Sequence, residues 1–242
     1  MHESIDKSIT LGHPSYVWRF GQDRRLDLIN RYAPLAGKRL LDVGCGLGMY
    51  VRKFRAFSPS TFGVDIDPEK LVEASESLPN LAQSPAERLP FADSTFDVVL
   101  LHEVIEHVRN DREAVAEAYR CLATGGRLVI FAPNRLYPLE THGFYLGGRY
   151  HFRLAPGIPW LPDSLRDRFC PHVRTYRAAD IRALFAGLAG RFVVFTQIYP
   201  GYDKIAARHP GLARILRGVT YFLENTPVRA FGISHLAVFE KV

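Results

Sequence analysis

The sequence predicts an open parallel α/β sheet with helices on both faces, because short apolar runs alternate with segments of helical period. KRLLDV, TFGVDI, FDVVLL and GRLVIFA have the length and apolar content of buried strands. Between them, MYVRKFRAF, PEKLVEASESL and DREAVAEAYRCL place apolar residues three or four apart. The first run also feeds directly into GCGLG, with glycines at 44, 46 and 48. Such a turn lets the backbone approach a ligand at the carboxyl end of a strand.

Taken in order, residues 1–36 form a polar, aromatic-bearing lead-in that becomes helical from about Asp23. Residues 38–134 hold the strand and helix alternation. Within it, Asp67 precedes Pro68 and can cap a helix whose first position tolerates the missing N–H. Gly125 and Gly126 end another helix and turn the chain into the strand that finishes at FAPN. The periodicity then stops. Residues 135–178 are rich in Tyr, Phe, His, Pro and Gly, with one short helical hint at LPDSLRDRF, and a stretch this long without regular structure usually has a functional reason. AADIRALFAGL reads as helix and RFVVFTQI as strand. A second insertion over 201–230 is helical after Pro210, with Leu212, Ile215, Leu216, Val219 and Leu223 on one face, before HLAVFEKV supplies the last strand. Packing of that stripe against the body is preferred over an oligomer contact.

At 242 residues with 47% hydrophobic composition, the chain can bury a core as a single domain. The start MHESIDKSIT lacks the apolar run of a signal peptide, and no apolar stretch is long enough to span a bilayer. A cytoplasmic location without stable membrane insertion is expected. Cys45, Cys121 and Cys170 have no metal-site spacing, so neither a disulfide framework nor a structural zinc is indicated. Residues 135–242 carry 15 Arg or Lys against 7 Asp or Glu, but these are scattered rather than striped. Nucleic acid is therefore not the expected partner. The subunit is expected as a monomer or homodimer.

The spacing in the glycine turn narrows its ligand. Glycines alternate, rather than following the GxGxxG dinucleotide pattern, and no P-loop lysine is present. Asp42 stands two positions before Gly44. Asp65, 21 residues beyond Gly44, closes the next strand, where a carboxylate can accept both hydroxyls of a ribose. Since Asp67 already suffices as a cap, Asp65 is available for that role.

LLDVGCGLG, GVDIDPE, AERLPFADSTFDVVLLHEVIEHV and LATGGRLVIFAPN, in that order and spacing, resemble the class I S-adenosylmethionine-dependent methyltransferases. Within them, the likeness is to the small-molecule type 11 family that includes ubiquinone-pathway enzymes. The resemblance covers about residues 38–134. It implies a Rossmann-like seven-stranded, mostly parallel sheet with an antiparallel last strand, S-adenosyl-L-methionine as cofactor and S-adenosyl-L-homocysteine as product. It also implies that Asp42, Gly44, Cys45, Gly46 and Gly48 form the cofactor turn, with the methionine part lying against Gly44 to Gly48. By the same likeness Asp65 holds the ribose, Ile66 packs on the adenine, Ala86 and Glu87 lie along its edge, and Leu101 and His102 border the sulfonium. One departure is Pro85, where relatives commonly carry an acid toward the adenine amino group; Ser84, Glu87, backbone or water must serve instead.

Transfer to an alcohol or phenol requires proton removal. If HEVIEHV is helical, Glu103, Glu106 and His107 share a face. They then form a structural support, a base or a divalent metal site, with support preferred and a metal not expected. The other source is RLYPLETHGFY, with Tyr150 and His151 beyond it. There His142 is the first candidate for the base, His107 the second, and Tyr137 and Glu140 are expected to orient the acceptor. A small-molecule hydroxyl in a sugar, phenol or hydroxylated lipid is the expected acceptor. RNA, a small-molecule nitrogen or carbon, and a noncatalytic binding protein are the alternatives.

Overall fold

The computed structural model describes residues 17–242. The reading of MHESIDKSIT lies outside the described residues, and the lead-in is described only from Val17. Helix α1 (Phe20–Tyr32) precedes strand β1 (Leu40–Val43), followed by α2 (Met49–Phe54), β2 (Thr61–Asp65), α3 (Pro68–Ser75), β3 (Leu81–Gln83), β4 (Phe96–His102), α4 (Asp111–Cys121) and β5 (Leu122–Pro133). The insertion contains β6 (Leu139–Glu140), β7 (Phe144–Leu146), β8 (Arg149–His151), β9 (Ala155–Pro156) and α5 (Asp163–Phe169). Then come α6 (Ala178–Leu184), β10 (Gly190–Ile198), α7 (Asp203–Ala206), α8 (Pro210–Leu223) and β11 (Ser234–Lys241).

Seven strands form one sheet in the order β10-β11-β5-β4-β1-β2-β3. β1 lies parallel between β2 and β4, while β11 runs antiparallel to both β5 and β10. The chain order reverses direction at β1, so the carboxyl ends of β1 and β4 open on the crevice where ligands of such sheets sit. Successive residues of the central strands bury on opposite faces. Leu41, Val43, Val99 and Leu101 pack with α4 and α6, whereas Leu40, Val98 and Leu100 pack with Ile29 of α1 and Phe54 of α2. Helix α3 begins as its sequence requires: the Asp67 side chain accepts from Glu69 N, with Pro68 first in the helix.

Three expectations change. Residues 135–178 contain more regular structure than their composition suggests, because Gly147 and Gly148 both take positive φ (57° and 74°) and turn β7 into β8. Paired glycines are the residues such a tight hairpin needs. HEVIEHV is not helical: after His102 ends β4, Glu103 adopts φ 55° and residues 105–107 form a turn. The apolar stripe of α8 does not pack against the body, since Leu212, Ile215 and Val219 are exposed, and only Ala213 of this helix is fully buried.

Gly48, at φ 72°, caps α2, and a Cβ there would stand 2.3 Å from Leu78 Cδ1. Gly48→Ala should therefore cost about 1–3 kcal/mol of stability, through left-handed strain and crowding against a movable leucine tip. Thermal melting with and without S-adenosylhomocysteine would check this: a lowered midpoint with nearly unchanged ligand affinity is expected.

Candidate functional site

The glycine turn is built from backbone bonds reaching across the sheet edge. Gly44 N and Cys45 N both donate to Val64 O, at 2.7 and 2.9 Å, and Gly48 N donates to Cys45 O at 2.8 Å. Asp65 completes it: Oδ2 accepts from Gly46 N at 2.7 Å and Oδ1 from Asp67 N at 2.8 Å. This carboxylate therefore fixes the turn as well as facing the cavities. Gly44 (φ 73°) leaves no room for a Cβ, which would meet Val104 Cγ2 at 2.4 Å.

Two cavities meet at Gly44, Asp65, Glu103 and His107. The first, about 750 Å³, is lined by Ile66, Ser84, Pro85, Ala86 and Glu87, the residues expected beside the adenine. Ile66 is 49% exposed there, as an apolar platform for a base would be. Ser84 Oγ donates to Arg88 O, and Glu87 Oε1 accepts from Arg109 N and Asn110 N at 2.8 and 3.2 Å. That leaves Glu87 Oε2, beside Pro85, without a hydrogen bond among the described residues.

The second cavity, about 410 Å³, is lined by Asp42, Cys45, Gly46, Tyr50, His102 and His142, among others. Burial, then the neighbouring Asp65 charge, push the Asp42 carboxyl well above its usual range. Burial likewise raises the Cys45 thiol, so Cys45 is no nucleophile at neutral pH. Two of the expected cofactor residues stand back from these cavities. Gly48 turns toward Leu78 and lines neither cavity. Leu101 is fully buried in the core between sheet and helices, because strand alternation sends its side chain away from the crevice that His102 enters.

His102 is locked by residues the sequence did not single out. Its Nε2 lies 2.5 Å from Arg25 Nη1, and its ring packs between Tyr50 and Phe131 at centroid distances of 4.8 and 5.3 Å. Burial, then the Arg25 charge, hold His102 down to about 3 from its ordinary 6.5. With Nε2 accepting from Arg25, it is unavailable as a base. Its stabilising effect has a definite sign. The unfolded chain binds this proton more readily than the folded one, so stability is full above about pH 6.5 and is lost as pH falls toward 3. The melting midpoint should drop through that window, and His102→Gln should flatten the decline.

Arg25 also bridges to Glu103 Oε1 at 3.0 Å, which Ser234 Oγ contacts at 3.2 Å. Burial raises the Glu103 carboxyl, but Arg25, His102 and His142 together outweigh it and the net direction is down. Glu106, by contrast, is raised by burial and by the Glu103 charge, and neither of its buried oxygens has a hydrogen-bond partner among the described residues. Glu103 stays an electrostatic neighbour of Glu106 but is taken up by Arg25. The set brought together is Glu106, His107 and His142, whose ligand atoms lie within 4.8 Å of one another. Burial, then His142, hold His107 down to about 4.

His142 is carried by a buried self-binding turn. Glu140 Oε1 accepts from Thr141 N and His142 N, both at 2.9 Å, and lies 3.2 Å from His142 Nδ1. Burial pushes the Glu140 carboxyl up, but His142 and Arg166 bring it down to about 2. Glu140 is 1% exposed and is not in the wall of the second cavity or of the third described below, so it meets His142 rather than the open space where the sequence expectation put it. Tyr150 Oη donates to His142 O at 2.6 Å, and His172 Nε2 lies 3.2 Å from the same oxygen. Tyr150 thus anchors the turn, while His151 stacks on Phe144 within the hairpin.

A third cavity, about 650 Å³, adjoins the second through Gln22, Arg25, His102, Thr141 and Ile233. Tyr137, Leu139, Leu154, Ile198, Tyr199 and Tyr202 make much of its wall. Burial, then the neighbouring Tyr202, push the Tyr137 hydroxyl up to about 12, so it stays a neutral donor.

The family model "Methyltransferase domain" matches residues 41–130. The ubiquinone/menaquinone biosynthesis C-methyltransferase UbiE of Dinoroseobacter shibae is 35% identical over 207 residues, covering 81% of this chain and 79% of that protein. The ubiquinone biosynthesis O-methyltransferase of Aromatoleum aromaticum is 30% identical over 139 residues, covering 54% of this chain but only 59% of its own length. A methyltransferase of Mesorhizobium loti shares the fold at TM-score 0.62 and 17% identity, covering 92% of this chain and 98% of that one. The cyclase SpnF does so at 0.61 and 18%, covering 95% and 84%. The likeness to solved structures concerns the fold alone, and a cyclase on the same sheet illustrates why the reaction must be argued from the site. With 35% identity to UbiE sustained over four fifths of both chains, this chain belongs to the class I S-adenosylmethionine-dependent methyltransferases.

Proposed function

We propose that this protein transfers the methyl group of S-adenosylmethionine to a hydroxyl oxygen of a small, largely apolar molecule held in the tyrosine-lined chamber. The observation that carries the reading is the arrangement of a chamber with a cofactor-side cavity, joined at Thr141 next to His142. With Nδ1 facing Glu140, the His142 Nε2 is the nitrogen left to take a proton; it has no hydrogen bond among the described residues. In this reading Asp65 and the glycine turn hold the cofactor, and the Tyr137 hydroxyl orients the acceptor. In-line attack by the oxygen forms the C–O bond as the sulfonium C–S bond breaks, and the proton passes to His142.

A divalent ion held by Glu106, His107 and His142 would polarise an acceptor oxygen. Burial and the Glu103 charge raise the Glu106 carboxyl, however, which disfavours the carboxylate form that holds a cation. Activity is therefore expected to survive a chelator. Loss restored by magnesium would reassign these three residues to metal binding.

A carbon acceptor is the second reading, because the C-methyltransferase relative aligns over more of the chain than the O-methyltransferase does. Labelled methyl incorporation into metabolite, RNA and protein fractions tests the proposal, followed by acid and base treatment of the product. A methyl ether, stable to base, in the metabolite fraction is expected. A methyl group on carbon selects the second reading, and label confined to RNA overturns both.

A further inference from the structure

Helix α8 is set into the molecule with its polar side inward. Ala213 is fully buried, Arg217 lies 3.7 Å over the Phe20 ring and donates to Gly201 O, and Tyr221 donates to Pro200 O beneath the Arg24 guanidinium. On the opposite side Leu212, Ile215, Val219 and Phe222 are 49%, 65%, 54% and 70% exposed. Their spacing of three and four makes one continuous stripe. Val228 and Phe231 in the next turn, which packs against this helix, are also exposed. A helix that only covered the body would turn this stripe inward. A row of large apolar side chains facing water marks a surface that is covered in use.

Charge selects what covers it. From Arg208 to Leu223 the chain contains three arginines and no Asp or Glu. Arg208, Arg214 and Arg229 are exposed, and none forms an ion pair among the described residues. Glu224, just beyond the helix, is occupied by Arg24 and Tyr199 N. A second copy of this chain would set arginine rims against each other, whereas an anionic bilayer complements both the apolar stripe and its rim. We infer that α8 docks the protein peripherally on an anionic lipid surface, with Leu212, Ile215, Val219 and Phe222 in the boundary between headgroups and acyl chains and the arginines at lipid phosphates. This is contact with a surface, not insertion across it; no helix among the described residues is long and apolar enough to cross a membrane. Helix α7, which packs against α8, supplies Lys204 and Ile205 to the acceptor chamber. Docking would thus bring that chamber close to the lipid, whatever atom it methylates.

Vesicle flotation tests the inference, with phosphatidylcholine alone or mixed with phosphatidylglycerol. Wild-type protein should float with the mixed vesicles, less so at high salt and little with phosphatidylcholine. The double variant Ile215→Glu, Phe222→Glu should bind the mixed vesicles roughly tenfold more weakly or worse, with its melting midpoint and S-adenosylhomocysteine affinity unchanged, which shows that it is folded. Equal flotation on both vesicles, undiminished binding by the folded double variant, or no flotation by wild type would each overturn the inference. If wild type fails to float but self-associates in sedimentation equilibrium, and the double variant does not, the face belongs to a second copy instead.

Discussion

Asp65→Ala should weaken S-adenosylhomocysteine binding by roughly 10²–10⁴-fold, two lost charge-assisted hydrogen bonds being worth about 1.5–3 kcal/mol each. The carboxylate has two tasks that one substitution removes together. It ties Gly46 N and Asp67 N, and it borders both cofactor cavities at the place where ribose hydroxyls are expected. Alanine would leave two amides without their acceptor and offer the ribose none. Asp65→Asn keeps the shape and one acceptor oxygen, so it should fall between the two. Calorimetric titration measures both variants, and an affinity within about threefold of wild type for Asp65→Ala, some 0.6 kcal/mol, would remove this residue from cofactor recognition.

The second large effect concerns the proton. His142→Gln should lower turnover about 10²-fold, the scale of general-base catalysis, with S-adenosylhomocysteine affinity nearly unchanged. Glutamine retains a donor toward Glu140 but cannot accept and carry a proton. Glu140→Gln is expected to give a smaller loss, and to shift the pH profile of turnover rather than abolish it, because it removes the charge beside Nδ1 while leaving the base in place. Undiminished turnover in His142→Gln at every pH would exclude it as the base. His107→Gln offers the contrast: its ring borders both cofactor cavities, so joint loss of affinity and turnover would place it in support of the pocket.

The glycine turn, its acid and the strands around them were legible in the sequence because each is encoded locally. KRLLDV must be extended and buried, Gly44 must take a left-handed turn, and Asp65 must end the next strand. Asp67 and Pro68 likewise announce the start of their helix within two residues. HEVIEHV was not legible in this way. Its letters permit a helix, yet Arg25, 78 residues earlier, draws Glu103 into an ion pair while Glu106 is buried among other groups.

The sequence by itself therefore determined the alternation of strands and helices, the cofactor turn and the segment that carries His142, since these depend on residue period and backbone freedom over a few positions. The tertiary structure decided which partner each polar side chain met. It set Arg25 on His102 and Glu103, hid Glu140 behind His142, and brought His142 to Glu106 and His107. It also decided which side of α8 faces outward. A hydrophobic period specifies that a helix has an apolar side, but the packing of Arg217 and Tyr221 onto the body fixes where that side points.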